Sequence, residues 1–94
     1  MFQKTQVVKH NTLTFVDQLD FENQFTAVFD FIVYESRKST ISDSPSWFSI
    51  FDIGTQEYTV NTFFVDEAEC DAYYAHPDSI SSTAAVIAAG YTIT

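Results

Sequence analysis

Residues 57–77 read EYTVNTFFVDEAECDAYYAHP, and the fold turns on how this stretch divides. As far as Val65 the chain alternates. Tyr58, Val60, Thr62 and Phe64 share one face and Phe63 and Val65 the other, the period-two pattern of a strand over residues 57–65. Asp66-Glu67-Ala68-Glu69 then has the form of a capping box, in which an N-cap acid is followed three residues later by a glutamate that reaches back to an unpaired amide. The acids also suit the positive end of a helix dipole. A helix over residues 67–76 follows, and Pro77 stops it by holding His76 out of helical geometry.

Working outward, Asp78 or Ser79 is placed to cap a second short helix over residues 80–89, Gly90 suits its C-terminal exit, and Tyr91–Thr94 has the length of a short last strand. Upstream, Trp47–Ile53 alternates with Trp47, Phe51 and Ile53 on one side and Phe48 and Ile50 on the other, so both faces of this strand call for a cover. Gly54-Thr55-Gln56 between the two strands reads as a hairpin turn. Ser39–Ser46 is a polar loop. Phe21, Phe25, Val28, Phe29, Ile32 and Val33 recur at helical spacing, which predicts a helix over residues 21–36, capped by Asp17 or Asp20 and closed by Arg37-Lys38. The same stretch is rich in strand-forming residues over 25–34, and a strand there is the rival reading. At the start, residues 5–16 read as a strand in which Leu13 and Phe15 alternate with Thr12, Thr14 and Val16.

The order strand, helix, strand, strand, helix, strand predicts a single α+β domain over residues 1–94. Its expected form is ferredoxin-like βαββαβ, an antiparallel sheet with helices on one face. The opposite sheet face then carries aromatic side chains without a cover, and pairing with a second copy through that face is the expected solution.

Composition narrows the function classes. The chain has 94 residues, 46% of them hydrophobic and 17% aromatic, enough for one small core. Its single cysteine, Cys70, excludes an internal disulfide and a cysteine-based zinc site, and its neighbours Glu69 and Asp71 oppose thiolate formation. The longest apolar run, Ala84–Ala89, falls far short of the ~20 residues of a bilayer span. Residues 1–13 hold no leader-like apolar core, so the expected location is the cytoplasm, that of the host cell for a viral protein. Thirteen acids face four bases, for a net charge of −9. Lys4, Lys9, Arg37 and Lys38 all precede residue 39, whereas Asp43, Asp52, Glu57, Asp66, Glu67, Glu69, Asp71 and Asp78 follow it without a base. That distribution disfavours direct contact with nucleic acid or an anionic membrane and favours a basic protein partner. It also predicts one continuous negative surface on the back half of the molecule.

The stretch from Thr62 to Pro77, a strand followed by an acidic Asp66-Glu67-Ala68 cap and a helix that ends at His76-Pro77, resembles the third strand and second helix of dimeric α+β barrel proteins, the antibiotic-biosynthesis-monooxygenase-like group among them. The resemblance covers about a fifth of the chain. It implies a dimer whose sheets meet face to face, and admits oxygenase or haem-binding activity. The chain lacks the set of His, Asn and Trp that active members carry on their strands, so no catalytic residue is carried over.

The remaining polar residues define the candidates. His76 beside Asp78 has the makings of a general base or metal ligand, but reads first as a helix-end imidazole bonded to the last carbonyls; His10 reads as a solvent-facing strand residue. Asp66, Glu67, Glu69, Asp71 and Asp78 are the densest acidic cluster and the candidate partner-binding residues. Their spacing fits no EF-hand loop, and neither a metal, a cofactor nor a catalytic residue is expected. Three functions compete: a non-enzymatic interaction module, in its sharpest form a phage-type inhibitor whose carboxylates imitate nucleic-acid phosphates; a small dimeric enzyme or ligand binder with an apolar cavity between sheet and helices; and an accessory subunit of a larger assembly.

Overall fold

The computed structural model describes residues 1–29 and 46–94. Within them the order is β1 (Phe2–His10), α1 (Gln18–Phe25), β2 (Ser46–Asp52), β3 (Glu57–Phe64), α2 (Glu67–Ala75), α3 (Pro77–Ala88) and β4 (Tyr91–Ile93). The four strands form one antiparallel sheet in the order β2-β3-β1-β4. The protein is thus α+β. Tyr58, Val60, Thr62 and Phe64 of β3 do share one face, opposite Val8, Gln6, Lys4 and Phe2 of β1 and Phe51, Ser49 and Trp47 of β2.

That face carries the helices. Phe21 of α1 is the hub, fully buried, stacked on Tyr58 at 4.5 Å and Phe51 at 5.3 Å and edge-on to Phe15 at 4.8 Å. Phe25 meets Tyr91 edge-on at 5.2 Å, and Val86 of α3 completes this cluster. A second cluster joins Cys70 and Tyr73 of α2 to Phe64. Aromatic pairs in such offset and edge-on geometries add about 0.5–1.5 kcal/mol each beyond the area they bury.

Helices α1 and α2 begin in the same way. Asp66 Oδ1 accepts the Glu69 amide at 2.9 Å, and Glu69 Oε2 accepts the Val65 amide at 3.0 Å. Asp17 Oδ1 accepts the Asp20 amide at 2.8 Å, and Asp20 Oδ2 accepts the Val16 amide at 3.0 Å. In both, the returning carboxylate reaches one residue before the cap, so two amides per helix start are satisfied by a pair of acids.

Several elements differ from the sequence reading. β1 runs from Phe2 to His10, not over 5–16. Its end is set by His10, whose Nδ1 accepts the amides of Thr12 (3.1 Å) and Leu13 (2.9 Å) and turns the chain away from the sheet. Leu13 and Val16 are consequently exposed, while Phe15 alone of that stretch enters the core. α1 starts at Gln18 and ends at Phe25, followed by turns through Val28; residues 30–36 of the expected helix, the rival strand beyond Phe29, Arg37-Lys38 and the loop up to residue 45 lie outside the described residues. α3 starts at Pro77, capped by His76 rather than by Asp78 or Ser79. Proline suits this first position because its missing N–H would be unpaired there anyway.

Two glutamines act in place of backbone. Gln56 ends the β2–β3 turn with φ +59°. Its Oε1 accepts the Phe15 amide at 2.7 Å, and its Nε2 donates to the carbonyls of Phe15 at 3.1 Å and Ile53 at 2.9 Å. Gln18 does the same for the outer edge of β2, accepting from the Phe51 amide at 3.2 Å and donating to the Ser49 carbonyl at 3.4 Å. The left-handed residue of the hairpin is therefore Gln56, while Gly54 donates its amide to Asp52 Oδ1 at 2.8 Å.

Candidate partner-binding site

Helix α2 places the acidic cluster. Its inner side is fixed by Cys70 and Tyr73, both buried against Phe64. One step around the helix, Tyr74 donates its hydroxyl to Gln6 Oε1 of β1 at 3.2 Å and lies under the Lys4 ammonium, 5.3 Å from its ring centre. Glu67 and Asp71 stand seven and three residues before Tyr74, on the same flank of the helix, and both are exposed. Asp66 and Glu69 are different in kind, because their carboxylates close the cap box. Asp78 is exposed at the second position of α3; its amide donates to His76 Nδ1 at 3.1 Å, and its Oδ2 lies 3.8 Å from the same nitrogen. A ring nitrogen that accepts an amide proton carries none of its own, so this contact becomes an ion pair only when the cap bond is given up. Of the five candidate residues, Glu67 and Asp71 thus share a surface, Asp78 follows on the next helix, and Asp66 and Glu69 are occupied in holding α2.

The other described acids of the back half are elsewhere. Phe2 opposite Phe64 marks the α2 end of the sheet, and Asp52 opposite Glu57 marks the far end. The seven steps from Glu57 to Phe64 span about 23 Å at ~3.3 Å per residue. Asp52 and Glu57 join Asp17 and Asp20 at that far end, where α1 begins. The single negative surface expected from the charge run is therefore divided into two groups at opposite ends of the sheet. Lys4, one of the four cations, sits beside the α2 group.

Two histidines have structural roles. His76 caps α3 through Nδ1 instead of meeting the last carbonyls of α2. His10 is half-buried, not solvent-facing: with Nδ1 accepting two amides, Nε2 carries the proton and donates to the Ala89 carbonyl at 3.2 Å, which ties the end of β1 to the end of α3. Gly90, at φ +100°, lets the chain pass this ring, since a Cβ there would stand 2.9 Å from His10 Nε2.

Burial pushes up the Cys70 thiol, with Lys4 opposing and Asp71 and Glu67 adding to the shift. Tyr58 is the polar centre of the covered face. Its phenol donates to Glu22 Oε2 at 2.6 Å, with the Ser49 hydroxyl 2.6 Å away, and its acidity is suppressed first by burial and then by the Glu22 carboxylate. This Tyr58–Glu22–Ser49 group carried no motif in the sequence; the only trace was a tyrosine on the core face of β3.

Among the described residues no three His, Cys, Asp or Glu side chains gather to hold a metal ion, and no helix is long and apolar enough to cross a membrane. Between the sheet and α2–α3 lies a cavity of about 50 Å³ whose walls include Gln6, Val8, Tyr73, Tyr74, Thr83 and Ile93. Small-molecule sites usually occupy about 300–1,000 Å³, so this one suits a side-chain tip. The other sheet face has no helix among the described residues. Phe48 and Ile50 stand 54% and 60% exposed there, and Phe48 stacks on Phe63 at 5.9 Å. Beside them Asn61 Oδ1 accepts from Gln3 Nε2 (2.9 Å) and Thr5 Oγ1 (2.8 Å). Comparison of the chain with protein-family models, with curated proteins and with solved structures finds no match to any of them.

Proposed function

We propose that this protein is a small, acidic, non-enzymatic interaction module of the ferredoxin-like kind that binds a basic site on a partner protein, and that it acts as an inhibitor by offering carboxylates where the partner expects phosphates. The fold reading is supported by the strand order, in which β3 lies between β1 and β2, and β1 between β3 and β4. One observation carries the functional reading: Glu67, Asp71 and Asp78 stand exposed on consecutive helices, and none of the three is used in a helix cap by its carboxylate. Exposed charges of one sign on a rigid element steer a partner of the opposite sign and make its binding salt-dependent. The test is a panel of nucleic-acid-handling proteins bound to the immobilised chain over a salt series, with duplex DNA as competitor. Binding is expected to weaken with salt, to be displaced by DNA, and to be lost in Glu67→Lys/Asp71→Lys/Asp78→Lys while the far-UV spectrum is unchanged. Binding indifferent to salt and to charge reversal defeats the reading.

A second reading rests on the exposed Phe48 and Ile50. It gives the protein a homodimer through the open sheet face, as the resemblance of residues 62–77 to dimeric α+β barrel proteins implies. Light scattering on the eluting protein, compared with Phe48→Glu/Ile50→Lys, decides it: a dimer that the double substitution converts to monomer supports this reading, and a wild-type monomer removes it.

A further inference from the structure

The chain has two histidines, and they stand at the two ends of α3, each using Nδ1 as an acceptor. His76 precedes the helix in extended geometry, and its Nδ1 accepts the Asp78 amide at 3.1 Å. His10 meets the other end. Its Nδ1 accepts the amides of Thr12 at 3.1 Å and Leu13 at 2.9 Å, and its Nε2 donates to the Ala89 carbonyl at 3.2 Å. All three amide bonds need a bare Nδ1, and so a neutral ring with its proton on Nε2. The usual cap residues, Ser, Thr, Asp and Asn, would hold such amides across the whole neutral range. Imidazole is the side chain that in its ordinary state changes charge between about pH 5 and 8.

The two sites differ in what meets an incoming proton. At His76 the Asp78 Oδ2 lies 3.8 Å from Nδ1. Protonation turns Nδ1 from acceptor to donor, so the ring drops the Asp78 amide and takes the carboxylate of the same residue. The positive end of the α3 dipole opposes a cation there, and the carboxylate offsets it. From α2 the Tyr73 carbonyl accepts the His76 amide at 3.3 Å, a bond that the ring's charge leaves in place. Around His10 no carboxylate stands within ion-pair distance among the described residues. Its ring faces Tyr91 of β4 edge-on at 4.6 Å and Phe15 at 6.3 Å, while Lys9, its neighbour in β1, points to the other sheet face. The Tyr91 phenol, made less acidic by burial, stays neutral here. A proton on His10 therefore releases two amides with nothing to replace them, and keeps the bond to Ala89.

We propose that His76 and Asp78 form a proton-operated switch at the start of α3. With His76 neutral, the ring caps the helix and the Asp78 carboxylate is left to solvent. With His76 protonated, the cap is given up and the imidazolium binds that carboxylate. The contribution of the cap is thus whole above the range in which imidazole titrates and is lost as pH falls through it. His10 responds over the same range by releasing Thr12 and Leu13. The switch does not need a partner. On the interaction-module reading it also regulates the site, because one of the three exposed carboxylates is withdrawn in mild acid, before carboxylates themselves take up protons.

The test is nitrogen-15 NMR of the whole chain between pH 7.5 and 5.5, beside His76→Asn, His10→Asn and Asp78→Asn. Asparagine keeps an oxygen acceptor for the same amides and does not titrate. At pH 7.5 both rings are expected to carry the proton on Nε2. Toward pH 5.5 the exchange protection of the Asp78, Thr12 and Leu13 amides, corrected for intrinsic rate, should fall severalfold, up to about tenfold, as the neutral fraction of an ordinary imidazole does. In His76→Asn the Asp78 amide should keep its protection while Thr12 and Leu13 lose theirs, and His10→Asn should give the reverse. In Asp78→Asn the amide of residue 78 should lose less, because no carboxylate draws the ring from the cap. A proton on Nδ1 of His76 at pH 7.5, Asp78 protection indifferent to pH, or equal loss in wild type and Asp78→Asn overturns the switch. Its effect on binding is read separately with a labelled oligolysine at low salt. Wild type should bind about two- to threefold more weakly at pH 5.5 than at pH 7.5, and His76→Asn equally at both. Equal weakening of the two proteins overturns the regulation of binding. Oligolysine that binds at neither pH counts against the interaction reading, while the NMR result judges the switch on its own.

Discussion

Removing the Gln56 side chain tests whether an amide can stand in for backbone in this fold. The residue holds φ +59°, a region that costs a non-glycine residue about 1–2 kcal/mol, and it does so with three hydrogen bonds to Phe15 and Ile53. Gln56→Ala keeps the backbone cost and loses all three bonds. At about 0.5–1.5 kcal/mol net for each, and with the Phe15 amide and carbonyl left half-buried, the loss comes to about 2–4 kcal/mol. Gln56→Gly loses the same bonds but relieves the left-handed strain, partly offset by its greater freedom when unfolded, so it should recover about 0.5–1 kcal/mol. For a domain this small the alanine variant is expected to melt about 10–20 °C lower. Urea unfolding followed by far-UV circular dichroism gives the ranking, wild type over Gly over Ala, and amide exchange at Phe15 reports the lost bond directly. An alanine variant within about 0.5 kcal/mol of wild type, or a glycine variant less stable than the alanine one, refutes the reasoning.

Alkaline titration at 295 nm should find Tyr58 and Tyr91 holding their protons beyond the ordinary phenol range, since burial raises both and the Glu22 carboxylate further raises Tyr58. Because the folded values lie above the unfolded one, the stability they contribute is whole below about pH 10 and is lost as pH climbs through the folded values, so their ionisation should coincide with unfolding. Gly90→Ala brings a Cβ to 2.9 Å from His10 Nε2 at φ +100° and should cost about 1–3 kcal/mol, measured by thermal melting, with the Leu13 amide losing exchange protection as the imidazole shifts. Cys70 is 3% exposed and its thiol is pushed up, so a thiol reagent should label it only at the rate of unfolding; prompt labelling of the native protein contradicts its place against Tyr73 and Phe64.

How much of this was legible in advance differs by element. The Asp66 cap, the stop before Pro77 and the two faces of β3 were open to reading because each is set by neighbours a few residues apart. The end of β1 was not, because the alternation of Leu13 to Val16 continues a strand pattern that only the His10 imidazole interrupts, through bonds to amides two and three residues ahead. The roles of Gln18 and Gln56 had no signature at all: an amide that replaces a peptide group does so across 31 to 41 residues of sequence. For the candidate site, the acids were visible as residues and their division was derivable in part, since an eight-residue strand separates Glu57 from Asp66 and must carry them to opposite ends. The capping motif was legible too, but the sequence reading still counted Asp66 and Glu69 among the contact residues; only the bonds of their carboxylates to the Glu69 and Val65 amides set them apart from Glu67 and Asp71.

The amide of Gln18 has a bearing on how the protein keeps in storage and at high concentration. It plugs the outer rim of a strand reading SWFSIFD, whose Phe48 and Ile50 already project into water. A short aromatic segment whose one charge, Asp52, stands at its end, and whose rim meets no further strand among the described residues, is the kind of template on which like strands stack into fibrils. Exchanging Gln18 for leucine, which cannot fill either valence, should therefore shorten the lag of thioflavin-positive growth under agitation well before it alters the melting curve.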